Sequence, residues 1–554
     1  MSDLDALLGL AAAWRAQDPD ETTRAELDSL VAAARAGDVG PVAERFDGRL
    51  QFGTAGLRGE LGAGPTRMNR VLVTQAAAGF AAYLLAHSAK PSIVIGYDGR
   101  TNSEVFARDT ATIMAGAGVR TILLPRHLPT PVLAFAVRHL NLSAGVMVTA
   151  SHNPARDNGN KVYLGDLDHG SQIVPPADAL IAEQITLVAA GSISELPRST
   201  DFLLADESVI DAYVAATASI AHVTNPVSFV YSAMHGVGWE TARAVFAAAG
   251  FGEPAVVAEQ IAPDAAFPTV AFPNPEEPGA MDLTFARAAE VGADVAIVND
   301  PDADRLAVAI PTASGTWRRL SGNEVGYLLG WNAAERLEQN NTDHGTFAAS
   351  IVSSPALREV ARKYRLDYQD TLTGFKWISR VGDLAYGYEE ALGYLVDPEK
   401  VRDKDGISAA IDFLSLVSRL LSERKTVEDH LADFADRFGA YASGQISLRV
   451  DDLAEIDTMM ANLRAALPET IGEYAVAKVD DFRLGFDQYP PSDILRIHLA
   501  NGARVIVRPS GTEPKLKVYL DASSLAGTAA ERQSAAAAVI AGLDSGMRAL
   551  LGHA

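Results

Sequence analysis

Residues 146–154 read VMVTASHNP, so an apolar run stops at a cluster of small and polar residues. This pattern is typical of a buried strand that ends at the edge of a sheet, and it predicts that Ser151 lies on a loop in a cleft. An ordinary turn, in which Ser151 and Asn153 only bond their own backbone, would have the same sequence. The rest of the chain has to distinguish these two interpretations.

Apolar runs of the same kind recur along the chain, and each is followed by a polar loop and a helix-like segment. The further runs lie at 92–96, 227–231, 295–298 and 347–352. Strands that alternate with helices indicate α/β units rather than separate all-strand and all-helix regions. Near the C-terminus, an alternating strand at 445–450 and a helix at 456–467 predict an α+β region instead.

The chain has 554 residues, which is too long for one ordinary domain. Helical spacing of apolar positions over residues 1–48 predicts a helical N-terminal extension. Breaks rich in turn-forming residues then divide the chain into four domains, which are predicted at 1–205, 206–318, 319–440 and 441–554. The sequence therefore predicts a large α/β protein that ends in an α+β domain.

Composition excludes several classes of function. The chain has 47 Lys and Arg against 70 Asp and Glu, and its net charge of −23 would repel nucleic acid and anionic membranes. The absence of cysteine excludes disulfides, thiolate catalysis and zinc-thiolate sites. The acidic N-terminal residues and the lack of an apolar run of membrane-spanning length predict a soluble cytoplasmic protein without a nucleic-acid or membrane partner. An anionic substrate would need a local basic pocket.

The segment DPDADR at 300–305 carries carboxylates at Asp300, Asp302 and Asp304. In an extended loop, a spacing of two turns all three to one side, where they need a cation. Oxygen ligands without nearby His or Cys favour Mg²⁺ or another hard divalent ion. A calcium EF-hand loop is excluded because its sixth position must be Gly and is Arg305. A solvated acidic turn is the other alternative.

A second polar cluster, RPSGTEPK at 508–515, follows a strand-like run at 503–507. A guanidinium, two hydroxyls and backbone donors supported by glycine are the parts of a phosphate cradle. No Walker sequence occurs, so a nucleoside triphosphate is not the expected ligand. The segment GVG at 236–238 lacks the third glycine of the dinucleotide pattern and is not expected to bind a cofactor.

Two further segments combine polar groups with aromatic residues, TGFKW at 373–377 and GYEEALG at 387–393. Pockets that recognise hydroxyl groups beside an apolar wall have this composition, although each segment alone would also fit core and turn. The loop FGTAGLRG at 52–59 has three glycines, which permit a tight backbone around Arg58. A plain surface loop is the alternative there.

Together, these motifs resemble the α-D-phosphohexomutases, in particular the branch of phosphoglucomutases, phosphomannomutases and phosphopentomutases. The resemblance covers nearly the whole chain from Phe52 onward, through four motifs in the expected order. It implies three similar mixed α/β domains and a smaller α+β C-terminal domain around a central cleft. The domains would carry, in order, the phosphoserine loop, the metal-binding loop, the sugar-binding loop and the phosphate-binding loop.

The resemblance also implies roles for individual residues. Ser151 would carry a phosphoryl group. The implied metal ligands are Ser151, Asp300, Asp302 and Asp304; the implied catalytic residues are Ser151, Lys161, His152 and Arg58; the implied substrate contacts are Thr373, Gly374, Glu389, Lys404, Arg508, Ser510, Gly511, Thr512 and Arg305. Many members have Ser two residues after the sugar-binding Glu, whereas this chain has Ala391, so one hydroxyl contact is missing.

The implied reaction is an intramolecular phosphoryl transfer with Mg²⁺ as cofactor and a sugar 1,6-bisphosphate as activator. Phosphorylated Ser151 would give its phosphoryl group to a sugar monophosphate, and the bisphosphate would reorient and return the other phosphate. Lys161 is expected to move the proton if positive surroundings lower its pKa, and His152 is the alternative. Ser151 itself is expected to be an exposed loop residue whose replacement leaves folding intact.

The expected substrates are the 1-phosphates and 6-phosphates of glucose and mannose, and the expected assembly is a monomer or homodimer. A phosphopentomutase that acts on ribose or deoxyribose 1-phosphate is the first alternative. A metal-dependent sugar phosphatase could use the same serine and metal, but it has no need for a separate distal phosphate loop. A non-catalytic sugar-phosphate sensor would not need Ser151 together with three aspartates.

Overall fold

The computed structural model describes residues 3–54, 56–450, 453–510 and 515–552. The described residues form two compact units. The first unit contains those of Met1–Leu320, Phe375–Arg380 and Gly393–Arg419, and the second contains those of Ser321–Gly374, Val381–Leu392 and Leu420–Ala554.

The N-terminal extension is helical, as predicted. It consists of α1 (Asp3–Gln17), α2 (Glu21–Arg35) and α3 (Gly40–Phe46). The Asp20 side chain caps α2 by accepting a hydrogen bond from the Thr22 amide at 2.8 Å. Trp14, Leu27 and Val42 are buried in a small core of their own, which makes the extension a packed part of the first unit.

The first sheet has seven strands and carries the segment around Ser151. Its strands are β1 (Leu57–Glu60), β2 (Ser92–Tyr97), β3 (Arg120–Leu123), β4 (Ala144–Val148), β5 (Asp157–Leu164), β6 (Ser171–Gln172) and β7 (Leu203–Leu204), and its helices are α4 (Arg70–His87), α5 (Ser103–Gly116), α6 (Thr130–His139) and α7 (Ala177–Ala189). The order is β1-β5-β4-β2-β3-β7, with β6 paired to β5. All residues of β2 and β4 are buried, which confirms the predicted strand that ends before Ser151.

The second sheet lies in the same unit and carries the aspartate segment. It comprises α8 (Ser208–Ala218), β8 (Phe229–Ser232), α9 (Gly238–Ala248), β9 (Ala255–Val256), α10 (Asp282–Val291), β10 (Val295–Asn299), β11 (Leu306–Pro311) and β12 (Trp317–Arg319). The strand order is β12-β11-β10-β8-β9. Because β10 and β11 pair antiparallel, the segment 300–305 is the tight connection of a hairpin.

The third region alternates strands and helices. It comprises α11 (Gly322–Gln339), β13 (Thr346–Ser350), α12 (Ala356–Tyr364), β14 (Asp367–Thr371), α13 (Phe375–Ile378), β15 (Leu384–Glu389), β16 (Gly393–Leu395), α14 (Gly406–Ser422) and α15 (Val427–Phe438). In the second unit, β13 pairs in parallel with both β14 and β15. Their C-terminal ends therefore lie at one edge, where segments 372–374 and 389–392 begin. The elements α13 and β16 belong to the first unit.

The C-terminal region is an antiparallel sheet with helices, as predicted. It comprises β17 (Ala440–Arg449), α16 (Leu453–Ala465), β18 (Thr470–Ile471), β19 (Tyr474–Asp481), β20 (Leu495–Leu499), β21 (Arg504–Pro509), β22 (Lys515–Ser524) and α17 (Ala529–Leu550). The order is β17-β22-β21-β20-β19-β18. A capping box of Thr528 and Glu531 starts α17, which buries Ala536, Leu543 and Met547.

These four sheets confirm the predicted fold class of α/β domains followed by an α+β domain. The domain boundaries themselves stay predictions: residue 318 falls within β12, and residue 440 is the first residue of β17. In the part of the chain that the structure describes, no helix has both the length and the apolar character needed to cross a membrane.

Candidate functional site

Ser151 lies on the loop between β4 and β5, but it is buried rather than exposed. Only 2% of its surface is accessible, so the expectation of an exposed serine is wrong. Its φ of 51° is in the left-handed region, and its amide donates to Thr149 Oγ1 at 2.8 Å. The Ser151 hydroxyl points inward and donates to Asp300 Oδ2 at 2.9 Å. The loop therefore presents a serine oxygen to a carboxylate of another sheet.

The three aspartates converge, although not in the way that the sequence suggested. The segment is a tight turn with Ala303 at φ 55°, and the Ala303 amide donates to the Asp300 carbonyl at 2.8 Å. A ligand atom from each of the three aspartates lies within 4.8 Å of the others, and all three side chains are fully buried. The prediction of an extended loop is wrong, because the β10–β11 hairpin closes this segment. The predicted clustering of carboxylates is nevertheless present.

The donor set of this cluster fits a hard divalent cation. All donors are oxygens, and Asp302 Oδ1 and Asp304 Oδ1 are buried without a hydrogen-bond donor among the described residues. Buried carboxylate oxygens without a donor are costly, and a metal ion would satisfy them. Close approach of the neighbouring loop depends on Gly236, because a Cβ there would lie 2.2 Å from Pro301 Cα. The three aspartates could thus hold a metal ion.

Four cationic side chains lie around the carboxylates. Lys161 Nζ is 2.5 Å from Asp302 Oδ2 and also contacts Asp304 Oδ2. Lys404 Nζ is 3.3 Å from Asp304 Oδ2, and Arg305 Nε is 3.8 Å from Asp304 Oδ1. The positive charge explains how three buried carboxylates coexist, and it supplies the local basic pocket that an anionic substrate needs.

The fourth cation is Arg58, which reaches the serine loop from the edge strand β1. Arg58 lies opposite Gly159 of β5, and its Nη1 donates to Asn153 Oδ1 at 3.1 Å. Gly56 allows the chain to approach β5 closely, since its φ is 78° and a Cβ there would lie 1.9 Å from the Asn160 carbonyl oxygen. The glycine-rich segment therefore positions a guanidinium, which favours its functional interpretation over that of a plain surface loop.

Asp300, Asp304 and Lys161 have shifted pKa values. Burial, together with the charges of Asp302 and Asp304, raises the pKa of Asp300 to about 8. Burial acts against ionisation of Asp304, but Lys161, Lys404 and Arg305 outweigh it and lower the Asp304 pKa. Proton transfer by Lys161 is expected on the condition that positive surroundings lower its pKa, and this condition is not met. Burial would lower the pKa of Lys161, but the charges of Asp302 and Asp304 raise it.

His152 lies beside the serine and is held in its neutral form. Its Nδ1 is 3.3 Å from Ser151 Oγ. Burial, and then the positive charges of Arg305 and Arg58, lower the pKa of His152 well below its ordinary value. A neutral imidazole next to the hydroxyl keeps His152 as the alternative to Lys161 for proton transfer.

In the second unit, the predicted sugar-binding residues lie at the C-terminal ends of β14 and β15. Thr373, Gly374 and Glu389 are half-buried, and the Gly374 amide donates to Glu389 Oε1 at 2.5 Å. The next residue, Glu390, accepts a hydrogen bond from the Ser353 hydroxyl at 2.8 Å, and burial raises its pKa. Backbone amides and neighbouring hydroxyls thus hold this acidic loop.

The predicted phosphate cradle begins at the end of β21 in the same unit. Arg508 and Ser510 are half-buried, and the Ser510 amide donates to the Lys515 carbonyl at 2.8 Å, so the residue after β21 is bonded to the first residue of β22. Burial raises the pKa of Tyr519, as does the charge of Glu390, whereas Arg508 acts in the opposite direction. Arg508 therefore lies within electrostatic range of both groups. The predicted residues Gly511 and Thr512 lie outside the described residues.

The structure also contains contacts that the sequence did not predict. Thr130 donates from its hydroxyl to Asp302 Oδ2 at 2.5 Å and from its amide to the Asp302 carbonyl at 2.9 Å. Asp403 accepts from the Tyr163 hydroxyl at 2.8 Å and lies 3.3 Å from Lys404 Nζ. Asp403 directly precedes the predicted residue Lys404, which is a sequence signal that could have indicated it, whereas Thr130 begins α6 and flanks no predicted motif.

A cavity of about 810 Å³ in the second unit contains none of the predicted site residues. Its three arginines are already paired with acidic groups: Arg504 with Asp521 at 3.0 Å, Arg358 with Asp370 at 2.6 Å, and Arg496 with Asp480 at 2.8 Å. The polar lining therefore offers little unpaired charge to a ligand. The chemistry concentrates at the Ser151 cluster instead.

Comparison with protein families gives matches along most of the chain. Four family models match in order: phosphoglucomutase/phosphomannomutase alpha/beta/alpha domain I at residues 49–190, domain II at 211–315, domain III at 321–438, and the C-terminal domain at 446–538. Every predicted site residue falls within these matched ranges.

Individual relatives and solved structures agree with these matches. A probable phosphomannomutase of Haemophilus influenzae is 55% identical over 485 residues, which cover 87% of this chain and 98% of that protein. The phosphopentomutase of Mus musculus is 34% identical over 563 residues, which cover 92% and 89%. The crystal structure of a phosphoglucomutase/phosphomannomutase family protein from Burkholderia thailandensis superimposes with a TM-score of 0.67 at 19% identity, covering 90% of this chain and 97% of that one.

Proposed function

Because the chain belongs to the phosphoglucomutase/phosphomannomutase family of mutases, we propose that it interconverts hexose 1-phosphates and 6-phosphates, with glucose and mannose as the sugars. One observation carries the proposal: Ser151 Oγ lies 2.9 Å from Asp300 Oδ2, inside a buried carboxylate cluster with four cations around it. A serine held in this way can store a phosphoryl group between turnovers.

The proposed reaction has two symmetrical halves. In the first, the bond between phosphorus and Ser151 Oγ breaks, a bond from phosphorus to a free sugar hydroxyl oxygen forms, and one proton passes from that hydroxyl to Ser151 Oγ through the proton-transfer residue. The sugar is then a 1,6-bisphosphate and Ser151 carries a free hydroxyl. In the second half, the bond between the other phosphate and the sugar oxygen breaks, that phosphorus bonds to Ser151 Oγ, and the proton of the Ser151 hydroxyl passes to the departing sugar oxygen.

Charge neutralisation at the transferred group is assigned to the buried cluster. Ser151, Asp300, Asp302 and Asp304 would hold Mg²⁺, which would neutralise negative charge on the phosphoryl oxygens. Arg58, Lys161 and Arg305 would add positive charge beside the same oxygens. Since Ser151 and the carboxylates are almost completely buried, water has little access to the phosphoserine, and hydrolysis is disfavoured.

Proton transfer is assigned to Lys161, with His152 as the alternative. The two carboxylates beside Lys161 raise its pKa and keep it protonated, so it would act first as the acid that gives a proton to a departing sugar oxygen, and afterwards as the base that takes one back. The His152 ring lies 3.3 Å from Ser151 Oγ and could accept a proton as a neutral imidazole. Replacement of each residue in turn, with rates measured across pH, distinguishes them.

Substrate recognition is assigned to the remaining predicted residues. Glu389, with Thr373 and Gly374, would bind sugar hydroxyls, because a carboxylate accepts hydrogen bonds from vicinal hydroxyl groups. The non-reacting phosphate would be bound at the loop that begins at Arg508. The other proposed phosphate contacts are Ser510, Gly511, Thr512, Lys404 and Arg305.

A phosphopentomutase is the second candidate function. It is favoured by the 34% identity to a mouse phosphopentomutase and by Ala391, which lacks the hydroxyl of the Ser that many members of the resembled family carry two residues after the sugar-binding Glu. A metal-dependent phosphatase is a weaker candidate, because hydrolysis has no need for the loop at Arg508.

The deciding experiment compares glucose, mannose, ribose and deoxyribose 1-phosphates as substrates, with Mg²⁺ and a trace of glucose 1,6-bisphosphate. The proposal expects the highest kcat/KM for a hexose phosphate and phosphate on Ser151 in the intact mass and peptide map. A higher kcat/KM for a pentose phosphate would favour the second candidate. Stoichiometric release of inorganic phosphate without isomerised sugar would refute both mutase assignments.

A further inference from the structure

Arg100 is a buried arginine that binds the backbone of the serine loop at four points. Its side chain is 1% exposed, and it lies on the loop that follows β2. Its Nη2 donates to the carbonyls of Ser151 at 2.5 Å and Asn153 at 2.6 Å, and its Nη1 donates to those of Pro154 at 2.8 Å and Asp157 at 3.1 Å. One guanidinium therefore fixes both ends of the loop that carries the reacting oxygen.

Arg100 binds the loop at a residue whose backbone conformation is unfavourable. Ser151 has a φ of 51°, a conformation that costs a residue with a side chain free energy and persists only when its surroundings enforce it. The peptide groups on either side are both held: the Ser151 amide by Thr149 Oγ1, and the Ser151 carbonyl by Arg100. The enforced conformation is the one that points Ser151 Oγ at Asp300.

Arg100 is itself fixed from two sides. Asp98 Oδ1 accepts from the Arg100 amide at 3.0 Å and from the Ser103 hydroxyl at 2.6 Å, and Asp98 Oδ2 lies 3.5 Å from Arg100 Nε. Phe267 also lies against the guanidinium, with the guanidinium carbon 4.9 Å from the ring centroid. Both a carboxylate and an aromatic ring therefore contact the guanidinium that binds the loop.

We propose that Arg100 is a positioning residue that holds the serine loop in its reactive conformation, an inference that rests on the proposed function of Ser151. The planar fork of a guanidinium can donate to several carbonyls at once, whereas an ammonium cannot reproduce that geometry. Displacement of a reacting oxygen by about 1 Å can slow a reaction about 100-fold. Loss of the fork should therefore slow phosphoryl transfer without weakening sugar phosphate binding.

The test uses Arg100→Lys, which keeps the charge and removes the fork, beside Arg70→Lys as a matched control. Arg70 makes a two-point contact with Asp109 at 2.7 and 2.8 Å in the same unit, away from the serine loop. Each full-length protein is phosphorylated with glucose 1,6-bisphosphate and mixed with glucose 1-phosphate in a rapid-quench instrument. Loss of phosphate from Ser151 is followed against sugar concentration, and thermal unfolding is measured in parallel.

We expect Arg100→Lys to transfer its phosphoryl group about 100-fold more slowly, with less than about a threefold change in the half-saturating sugar concentration. Arg70→Lys should transfer at the wild-type rate. Equal rates for the two variants, or a loss that matches the unfolded fraction of Arg100→Lys, would overturn the inference. Failure of wild-type protein to transfer phosphate to any sugar phosphate would instead refute the proposed function together with the inference.

If Arg100→Lys does not fold, the variant Phe267→Leu tests the positioning role of Arg100 instead. It removes the ring that covers the guanidinium but leaves all four donors in place, so the loop should loosen without losing its partner. We expect transfer roughly fivefold slower at an unchanged half-saturating concentration. A wild-type transfer rate in folded Phe267→Leu would overturn the inference.

Discussion

The charged groups of the candidate site are more deeply buried in the first unit of this protein than in the second. In the first, three fully buried carboxylates are balanced by Lys161 and Lys404, which are 6% and 9% exposed. In the second, Glu389 and Arg508 are half-buried, and the Glu389 carboxylate accepts a hydrogen bond from the Gly374 amide. The residues proposed for phosphoryl transfer are thus buried and closely packed, whereas those proposed for sugar binding are partly exposed to solvent.

This difference has an energetic consequence. Buried charges interact strongly, and removal of one partner leaves another uncompensated, which is costly. Half-exposed groups lose less, because water replaces part of each lost contact. Substitutions in the first unit should therefore have larger effects on rate than substitutions in the second, and those in the second should act more selectively on the choice of sugar.

The largest effect is expected for Ser151→Ala, which removes the phosphoryl acceptor. Isomerisation should fall by at least about 10⁴-fold, because no other group can replace the nucleophile. Ser379→Ala is the matched control, since Ser379 is equally buried at 2% exposure and its hydroxyl donates to the Ser171 hydroxyl at 3.0 Å. A coupled assay with glucose 1-phosphate and an intact-mass measurement check both variants. Retained turnover in Ser151→Ala, or phosphate on another residue, would contradict the proposal.

The next largest effect is expected for Asp302→Asn, which removes one negative charge from the cluster. Mg²⁺ affinity should weaken severely, and kcat/KM should fall about 10³-fold, a loss equivalent to several kcal/mol of charge stabilisation. Asp166→Asn is the control, because Asp166 is exposed and its φ of 44° is one that Asn tolerates. Calorimetric titration with Mg²⁺ measures the affinity directly. Unchanged affinity, or full turnover after exhaustive chelation, would count against the metal assignment.

A smaller effect is expected for Arg508→Ala in the second unit. Loss of a charge-assisted contact to the non-reacting phosphate should cost about 2 to 4 kcal/mol in kcat/KM, or about 30- to 1000-fold. The exposed Arg483 of the same unit provides the control substitution Arg483→Ala. Steady-state kinetics with glucose 1-phosphate check the result. If kcat/KM is the same in both variants, the phosphate contact lies elsewhere.

Much of the fold could be predicted from the sequence because its strands are buried on both faces. Continuous apolar runs such as 295–298 mark these strands, and β10 spans Val295–Asn299. The ends of the strands could be predicted less well. The apolar run at 347–352 continues past β13, which ends at Ser350, because residues 351–352 are apolar but belong to the following turn. Hydrophobic pattern reports burial, and it does not report where hydrogen bonding between strands stops.

The candidate site could be predicted as a set of motifs, but its internal contacts could not. Thr130 reaches Asp302 across 172 positions of sequence, and Arg100 reaches the Ser151 carbonyl across 51. Such partners depend on how sheets and loops meet, which no local pattern contains. The raised pKa of Lys161 has the same origin, since it follows from carboxylates of a different sheet. Local sequence identified the reactive groups, and tertiary structure set their protonation.

The smallest and most selective effect is expected for Ala391→Ser, which restores a hydroxyl two residues after Glu389. Ala391 is half-buried on the proposed sugar-binding loop, so the added oxygen has room to meet a sugar hydroxyl. One such hydrogen bond contributes about 0.5 to 1.5 kcal/mol, which would raise the ratio of kcat/KM for glucose 1-phosphate over ribose 1-phosphate roughly 2- to 10-fold. Ala385→Ser is the control, because Ala385 is also half-buried but lies near the start of β15, away from the loop.

Both variants should retain wild-type phosphorylation of Ser151, since the transfer cluster lies in the first unit. A ratio that moves equally in the two variants, or a loss of Ser151 phosphorylation in Ala391→Ser, would mean that the loop around Glu389 does not act on the choice of sugar separately from phosphoryl transfer.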